Sequence, residues 1–207
     1  MKLSIIIPLY NEEALITELL RKLLVVRMPQ AVAEVEILIV DDCSRDRSYD
    51  VVQAFIPPYP HIRLLRHQVN QGKGAAVKTG FAHATGDVIL IQDADLELSP
   101  DDIPRLVDCM TELGVEFVNG SRYLPGVNRP LSSFRRYFFN YLFTLLTSVL
   151  INIRLTDMAC GYKLVSRRLF EQIIFRENRF GFEAELMIKA SRLRKNNIAE
   201  VPVRYFP

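Results

Sequence analysis

Val88-Ile-Leu-Ile91 is an uninterrupted apolar run that stops abruptly at Gln92-Asp93-Ala-Asp95-Leu-Glu97. With no polar residue on either alternating face, it reads as a strand buried on both sides. Such a strand needs helices above and below it, which is the arrangement around a parallel sheet. The rest of the chain supplies them. Leu3 to Pro8, Val35 to Val40, Ile62 to Leu65 and Glu116 to Val118 read as further short strands. Pro8 is expected to end the first, because proline cannot donate to a ladder. Helical stretches run from Asn11 to about Val26, roughly Asp46 to Phe55, Asn70 to about Ala84, and Ser99-Pro100 to about Leu113. Asn11 and Ser99 are the expected caps. The β-α alternation predicts an α/β fold, a mostly parallel central sheet with helices on both faces. At 207 residues, 1–207 is expected to be a single domain.

The texture changes at Gly126, which divides the chain into halves 1–125 and 126–207. Met1 to Asn128 holds 12 Lys and Arg against 18 Asp and Glu, whereas Arg129 to Pro207 holds 14 against 6. A long, aromatic helix is expected over about 131–155. Its apolar part, Tyr137 to Ile153, is 17 residues, short of the roughly 20 that a membrane span needs. Asn140, Thr144, Thr147, Ser148 and Asn152 interrupt it, and Arg135, Arg136 and Arg154 flank it. That pattern predicts an amphipathic helix at an interface or covering the sheet. A loop at Thr156 to Lys163, helices at about Arg167 to Phe175 and Glu183 to Lys195, and a strand at Ile198 to Val203 complete the chain. It closes at Tyr205-Phe206-Pro207 directly after a strand, an ending that reads as interrupted. The apolar N-terminus is too short for a signal peptide and meets Asn11-Glu12-Glu13 at once. Cys43, Cys109 and Cys160 are odd in number and widely spaced, which suits reduced thiols in the cytoplasm.

The acids carry the chemistry. If Asp93, Asp95 and Glu97 continue the strand, they point the same way, and a divalent Mg²⁺ or Mn²⁺ relieves their repulsion. Glu12, Asp41 and Asp42 follow other strands on the same rim. Asp42 is placed to accept from a base or ribose, and a metal at the later acids to hold a diphosphate and ease its departure. Arg122, in Gly120-Ser121-Arg122-Tyr123, brings a guanidinium suited to a second phosphate. Gly74, Ala75, Ala76 and Gly80 leave part of one helix nearly bare, so backbone or ligand approaches it closely. No Walker sequence is present, Gly72-x-Gly74 lacks a third dinucleotide glycine, and no G-x-S-x-G appears. His61 and His67 flank the third strand and read as surface residues; no histidine is given a role. The basic half is interleaved with a greasy helix and the rim is acidic, which excludes nucleic acid as the partner.

Ile7-Pro8-Leu-Tyr10-Asn11-Glu12-Glu13, Val40-Asp41-Asp42-x-Ser44, Asn70-x-Gly72-Lys73-Gly74-Ala75-Ala76, Asp93-Ala-Asp95-Leu-Glu97 and Gly120-Ser121-Arg122-Tyr123 stand in one order. Together they resemble the family 2 glycosyltransferases, above all the dolichyl-phosphate mannose and glucose synthases and bacterial polyprenyl-phosphate glycosyltransferases. The resemblance implies a GT-A fold and a metal-dependent, inverting transfer of hexose from a GDP- or UDP-sugar to a polyprenyl phosphate. It implies a nucleotide-sugar site at Pro8, Tyr10, Glu12, Asp41, Asp42, Lys73, Gly74 and Asp93, and Mn²⁺ or Mg²⁺ at Asp93, Asp95 and Glu97. Arg122 and Arg136 resemble the residues that meet the acceptor phosphate. Asn140 lies one turn beyond Arg136. Asp95, Asp157 and Arg122 fall where the reaction occurs, with Asp157 orienting or assisting, and Phe180-Gly-Phe182-Glu183-x-Glu185 resembles the family's next element. The implied location is peripheral, on the cytoplasmic face of a membrane. A saccharide acceptor and a non-catalytic nucleotide-sugar-binding protein are the alternatives.

Overall fold

The computed structural model describes residues 1–126, 133–194 and 197–206. The elements follow as β1 (Lys2–Leu9), α1 (Ile16–Val25), β2 (Glu34–Asp41), α2 (Ser48–Phe55), β3 (Ile62–Arg66), α3 (Lys73–His83), β4 (Val88–Ile91), α4 (Ile103–Leu113), β5 (Phe117–Ser121), α5 (Phe134–Ile151), β6 (Lys163–Ser166), α6 (Arg167–Glu171), α7 (Gly181–Leu193) and β7 (Ile198–Pro202). Among the described residues the strands form one sheet in the order β3-β2-β1-β4-β6-β5-β7. The alternation along β1 feeds two cores. Leu3, Ile5, Ile7 and Leu9 join the layer under α1, α2 and α4, while Ile6 packs with Leu38 and Ile89 against Phe81 of α3. The α/β architecture, with helices on both faces, is as the alternation requires.

Three local expectations fail for identifiable reasons. Pro8 stays within β1, paired with Val40. The residues of β1 that bond toward β4 alternate, and that pairing ends where Ile6 accepts from Gln92. The missing N–H of Pro8 therefore falls where β4 has already stopped. Asn11 does not cap α1: it sits at φ 57° and its side chain accepts from the Arg45 amide at 2.8 Å, while Glu12 closes the turn that leads to Ile16. The long helix is Phe134–Ile151; positions 131 and 132 of the expected span, like Lys195 of the later helix, lie outside the described residues. Finally, Lys163–Ser166 is a strand, antiparallel to both β4 and β5. A charged residue at the head of a four-residue run concealed it. The Lys163 ammonium is wholly buried and satisfied by Asn119 Oδ1 at 2.7 Å and the carbonyls of Cys160 and Met158.

The expected amphipathic helix is inside out. In α5 the buried residues are Thr144, Thr147 and Ile151, whereas Phe134, Phe139, Val149 and Leu150 are 66–77% exposed. The polar interruptions face the protein and the aromatic residues face away from it. No helix among the described residues is long and apolar enough to cross a membrane.

The bare part of α3 serves backbone and core rather than a ligand. A Cβ on Gly80 would stand 2.5 Å from Ile6 Cγ2. Gly80→Ala gains helix propensity of up to about 1 kcal/mol, but the overlap costs about 1–3 kcal/mol. The expected net result is a lower urea midpoint at unchanged m; an equal or higher midpoint would mean that α3 can lift off the sheet freely.

Candidate active site

The strand ends of β1, β2 and β4, the start of α3 and the start of α7 enclose a cavity of about 510 Å³. Pro8, Tyr10, Glu12, Asp42, Lys73, Asp93 and Asp95 line it, with Asn70, Ala159, Arg179, Phe180 and Glu183. Most of the residues read from the sequence are thus brought together. Asp41 and Gly74 are not. Asp41 is fully buried, pairs with Arg66 at 3.2 Å and accepts from the Ser44 amide. Gly74 admits the loop before α7: a Cβ there would lie 2.7 Å from Phe182 Cβ and 3.0 Å from the Asn178 backbone.

At one end, Asp42 is a clamp. Its Oδ1 accepts from the Gln71 amide at 2.8 Å and its Oδ2 from the Gly72 amide at 2.7 Å. The third partner is His67, whose Nδ1 stands 2.7 Å from Oδ1. His67 is buried, contrary to its reading as a surface residue: just beyond β3 its amide bonds the Asp41 carbonyl, and its ring lies between Asp42 and Thr79 of α3.

At the other end, the three acids do not converge. β4 stops at Ile91, and the chain turns through Asp93–Leu96, with Leu96 at φ 59°. Asp95 Oδ1 accepts from the Glu97 amide at 3.0 Å, while the Glu97 side chain bonds Tyr205. The extended conformation that would align all three was the wrong premise, and no group of three such ligands is gathered among the described residues. Asp93 and Asp95 remain as neighbours. Burial, then the charge of Asp93, pushes the Asp95 carboxyl up to about 6. Two crowded carboxylates with hard oxygens suit a Mg²⁺ or Mn²⁺ ion that takes its remaining ligands from water and phosphate. Lys73 now supplies the compensating charge. Its ammonium bridges Asp93, at 2.5 Å, and Glu183, and their carboxylates hold its pKa up against its burial.

A second cluster adjoins the first through the loop 156–161. Asp157, wholly buried, accepts from Arg122 Nε at 2.7 Å, Arg122 Nη2 at 2.9 Å, the Arg122 amide at 3.0 Å and Asn140 Nδ2 at 3.1 Å. Burial opposes the charge on Arg122, and the bond to Asp157 overrides it. Asn140 Oδ1 is buried without a partner. The guanidinium lies 5.1 Å from the Tyr205 ring centre, and Arg136 acts electrostatically on the same tyrosine. Arg122 thus faces Tyr205, with Arg136 within electrostatic reach of the same tyrosine and Glu97 bonded to it. Four residues on, Gly161 packs so closely that a Cβ would lie 2.0 Å from Asp93 Oδ2. A further cavity of about 380 Å³ lies beside α5, lined among others by Tyr123, Tyr137, Asn140, Tyr141, Ser148, Arg154 and Thr156. Cys160 in the connecting loop is no nucleophile, since burial and Asp157 push its thiol up to about 12.

Sequence reasoning missed His67, Arg179 and Tyr205. For His67 and Tyr205 the signal is tertiary; Arg179 directly precedes the noticed Phe180 to Glu185 segment.

A model described as glycosyl transferase family 2 matches residues 4–174. The chain is 31% identical to a dolichyl-phosphate beta-glucosyltransferase of Trichomonas vaginalis, over 98% of its own length and 63% of that protein's. It is 35% identical to an undecaprenyl-phosphate 4-deoxy-4-formamido-L-arabinose transferase of Pseudomonas fluorescens, over 83% and 49%. With a dolichol-phosphate mannosyltransferase of Pyrococcus furiosus the figures are 38%, 61% and 34%. The chain thus spans between about a third and just under two thirds of these relatives. Among solved structures, glucosyl-3-phosphoglycerate synthase from Mycobacterium tuberculosis, in complex with Mn²⁺, UDP and glucosyl-3-phosphoglycerate, superposes with a TM-score of 0.76. It is 22% identical over 99% of this chain and 70% of that one. The likeness establishes the fold, that of the GT-A enzymes.

Two outcomes follow from the geometry. Asp157→Asn removes one side of a buried, bidentate pair and is expected to lower unfolding free energy by about 3–5 kcal/mol; a loss below 1 kcal/mol would mean that water screens the pair. For Asp95 the folded pKa lies above the ordinary carboxylate value. The cost of ionising it is absent below the unfolded pKa and complete above about pH 6. In chelator at neutral pH, Asp95→Asn should therefore stabilise by about 1–2 kcal/mol, and thermal melts across pH 4–7 should lose the corresponding slope. A destabilised variant would contradict this.

Proposed function

The chain belongs to glycosyl transferase family 2, and from that premise we propose that it moves a hexose from a nucleoside-diphosphate sugar, GDP- or UDP-linked, to a polyprenyl phosphate. The transfer inverts the anomeric carbon and uses Mn²⁺ or Mg²⁺. The observation that carries this reading is Arg122, held by Asp157 and facing Tyr205, with Arg136 within electrostatic reach of that tyrosine, beside the loop that packs against Asp93. Two cations at the edge of a donor-sized cavity suit an acceptor that is itself a phosphate. The relatives whose names specify dolichyl, dolichol or undecaprenyl phosphate support the same acceptor.

In this reading Pro8, Tyr10 and Glu12 border the nucleoside, and Asp93 and Asp95 would hold the metal. A divalent ion there supplies Lewis-acid neutralisation of the diphosphate that leaves. Lys73 adds a positive charge against Asp93 and Glu183, and Arg179 a second on the cavity wall. Glu183 is engaged by Lys73 rather than free to attack carbon, which supports direct displacement and hence inversion. A lipid phosphate is already anionic at neutral pH and needs orientation more than deprotonation. Asp157 suits that need: four donors occupy its carboxylate, so it holds Arg122 in aim and is no general base. The outward aromatic face of α5 supports seating on the cytoplasmic surface of a bilayer, where the lipid head would reach Arg136. The cavity of tyrosines and hydroxyls beside α5 favours a saccharide acceptor as the second reading.

The two readings separate in one assay series. With nucleotide sugars, Mn²⁺ and either polyprenyl phosphate or oligosaccharides, transfer to the lipid phosphate is expected. Arg136→Ala should reduce that transfer at least about tenfold, the value of one charge-assisted contact, while leaving donor hydrolysis intact. Transfer to saccharide alone, or equal loss of both activities, would reject the lipid-phosphate acceptor.

A further inference from the structure

His67 is buried, and the reaction as proposed gives it no part. Its ring is fixed at both ends, with Nδ1 2.7 Å from Asp42 Oδ1 and Nε2 2.8 Å from Thr79 Oγ1 on α3. A carboxylate only accepts, so Nδ1 carries the proton on the Asp42 side. A spacer in the core would not need either bond.

We infer that His67 is a positioning residue that fixes the Asp42 carboxylate so that one acceptor lone pair remains for a nucleobase. The inference rests on the donor cavity being the nucleotide site. A carboxylate offers about four lone-pair positions. His67 and the Gln71 amide take both on Oδ1, and the Gly72 amide takes one on Oδ2. What remains is a single acceptor on Oδ2. Uracil presents one ring N–H, which such an acceptor satisfies. Guanine presents a ring N–H and an exocyclic amine side by side, a pair that needs both oxygens of a carboxylate. The clamp therefore selects a uridine donor. The same bonds set the frame of the loop, since Gly72, at φ 100° and with a Cβ position only 2.6 Å from Asn178 O, leads directly into Lys73.

Substitutions at His67 distinguish the bond from the bulk. Asn can place an amide N–H where Nδ1 stands, whereas Gln reaches toward the Nε2 position and Thr79. Kd values for UDP and GDP would be measured by calorimetry with Mn²⁺, with thermal melts confirming that each variant folds. Wild type should prefer UDP. His67→Ala frees a lone pair on Oδ1, and the UDP preference should fall about tenfold, the value of one hydrogen bond to a charged group. His67→Asn should keep the preference and His67→Gln should not. An unchanged preference in His67→Ala, rescue by Gln but not Asn, or a wild type that prefers GDP would overturn the inference. If wild type binds neither nucleotide, the donor-cavity reading fails. Hydrogen exchange at the Gln71 and Gly72 amides then decides the positioning role: faster exchange in His67→Ala, restored in His67→Asn, upholds it, and unaltered exchange refutes it.

Discussion

The arrangement turns on a carboxylate sealed from water. Asp157 receives three hydrogen bonds from Arg122, at the end of β5, and one from Asn140, in the second turn of α5. Taking a charge out of water costs several kcal/mol, and only a full set of donors offsets it. The outer helix and β5 are therefore registered by one group. The loop that carries Asp157 continues to Gly161 against Asp93. Arg122 and Asp93 are consequently positioned by the same six-residue connection.

The cavity at the strand ends is joined differently. Lys73 opens α3, and its two carboxylate partners come from the turn after β4 and from α7. The strand and the later helix, ninety residues apart in sequence, are thus drawn together by a charge that neither could leave unpaired. Both clusters use a half-buried cation to satisfy acids that a purely apolar core would exclude, and both sit where strands end, the usual mouth of an open α/β sheet.

Much of this was legible in the sequence. Continuous apolar runs fixed β1, β2 and β4, and the alternation fixed the layering, since two-faced burial has few other solutions. Acids after strands identified the rim, and Arg122, Arg136 and Asp157 were singled out by their place in recognisable motifs. What failed did so for tertiary reasons. Lys163 disguised β6 because its ammonium is satisfied by groups distant in the fold or carried on the preceding loop. The convergence expected of Asp93, Asp95 and Glu97 assumed extended backbone, and a left-handed Leu96 broke the alternation. His67 looked like a surface residue because nothing in its neighbourhood of sequence reveals Asp42 and Thr79 on either side. The polar residues of α5 were seen, but sequence periodicity cannot say which face meets protein and which meets the surroundings.

Gly161 gives the rim an unusual point of failure. No acid needs to be lost for Asp93 to be displaced, because a methyl group at this one position would occupy the place of its carboxylate oxygen. A duplicated copy of the chain could keep every acid of the rim and still present them differently. Sorting working copies from silent ones by their acids alone would misjudge it; the small residue behind the acids is the better witness.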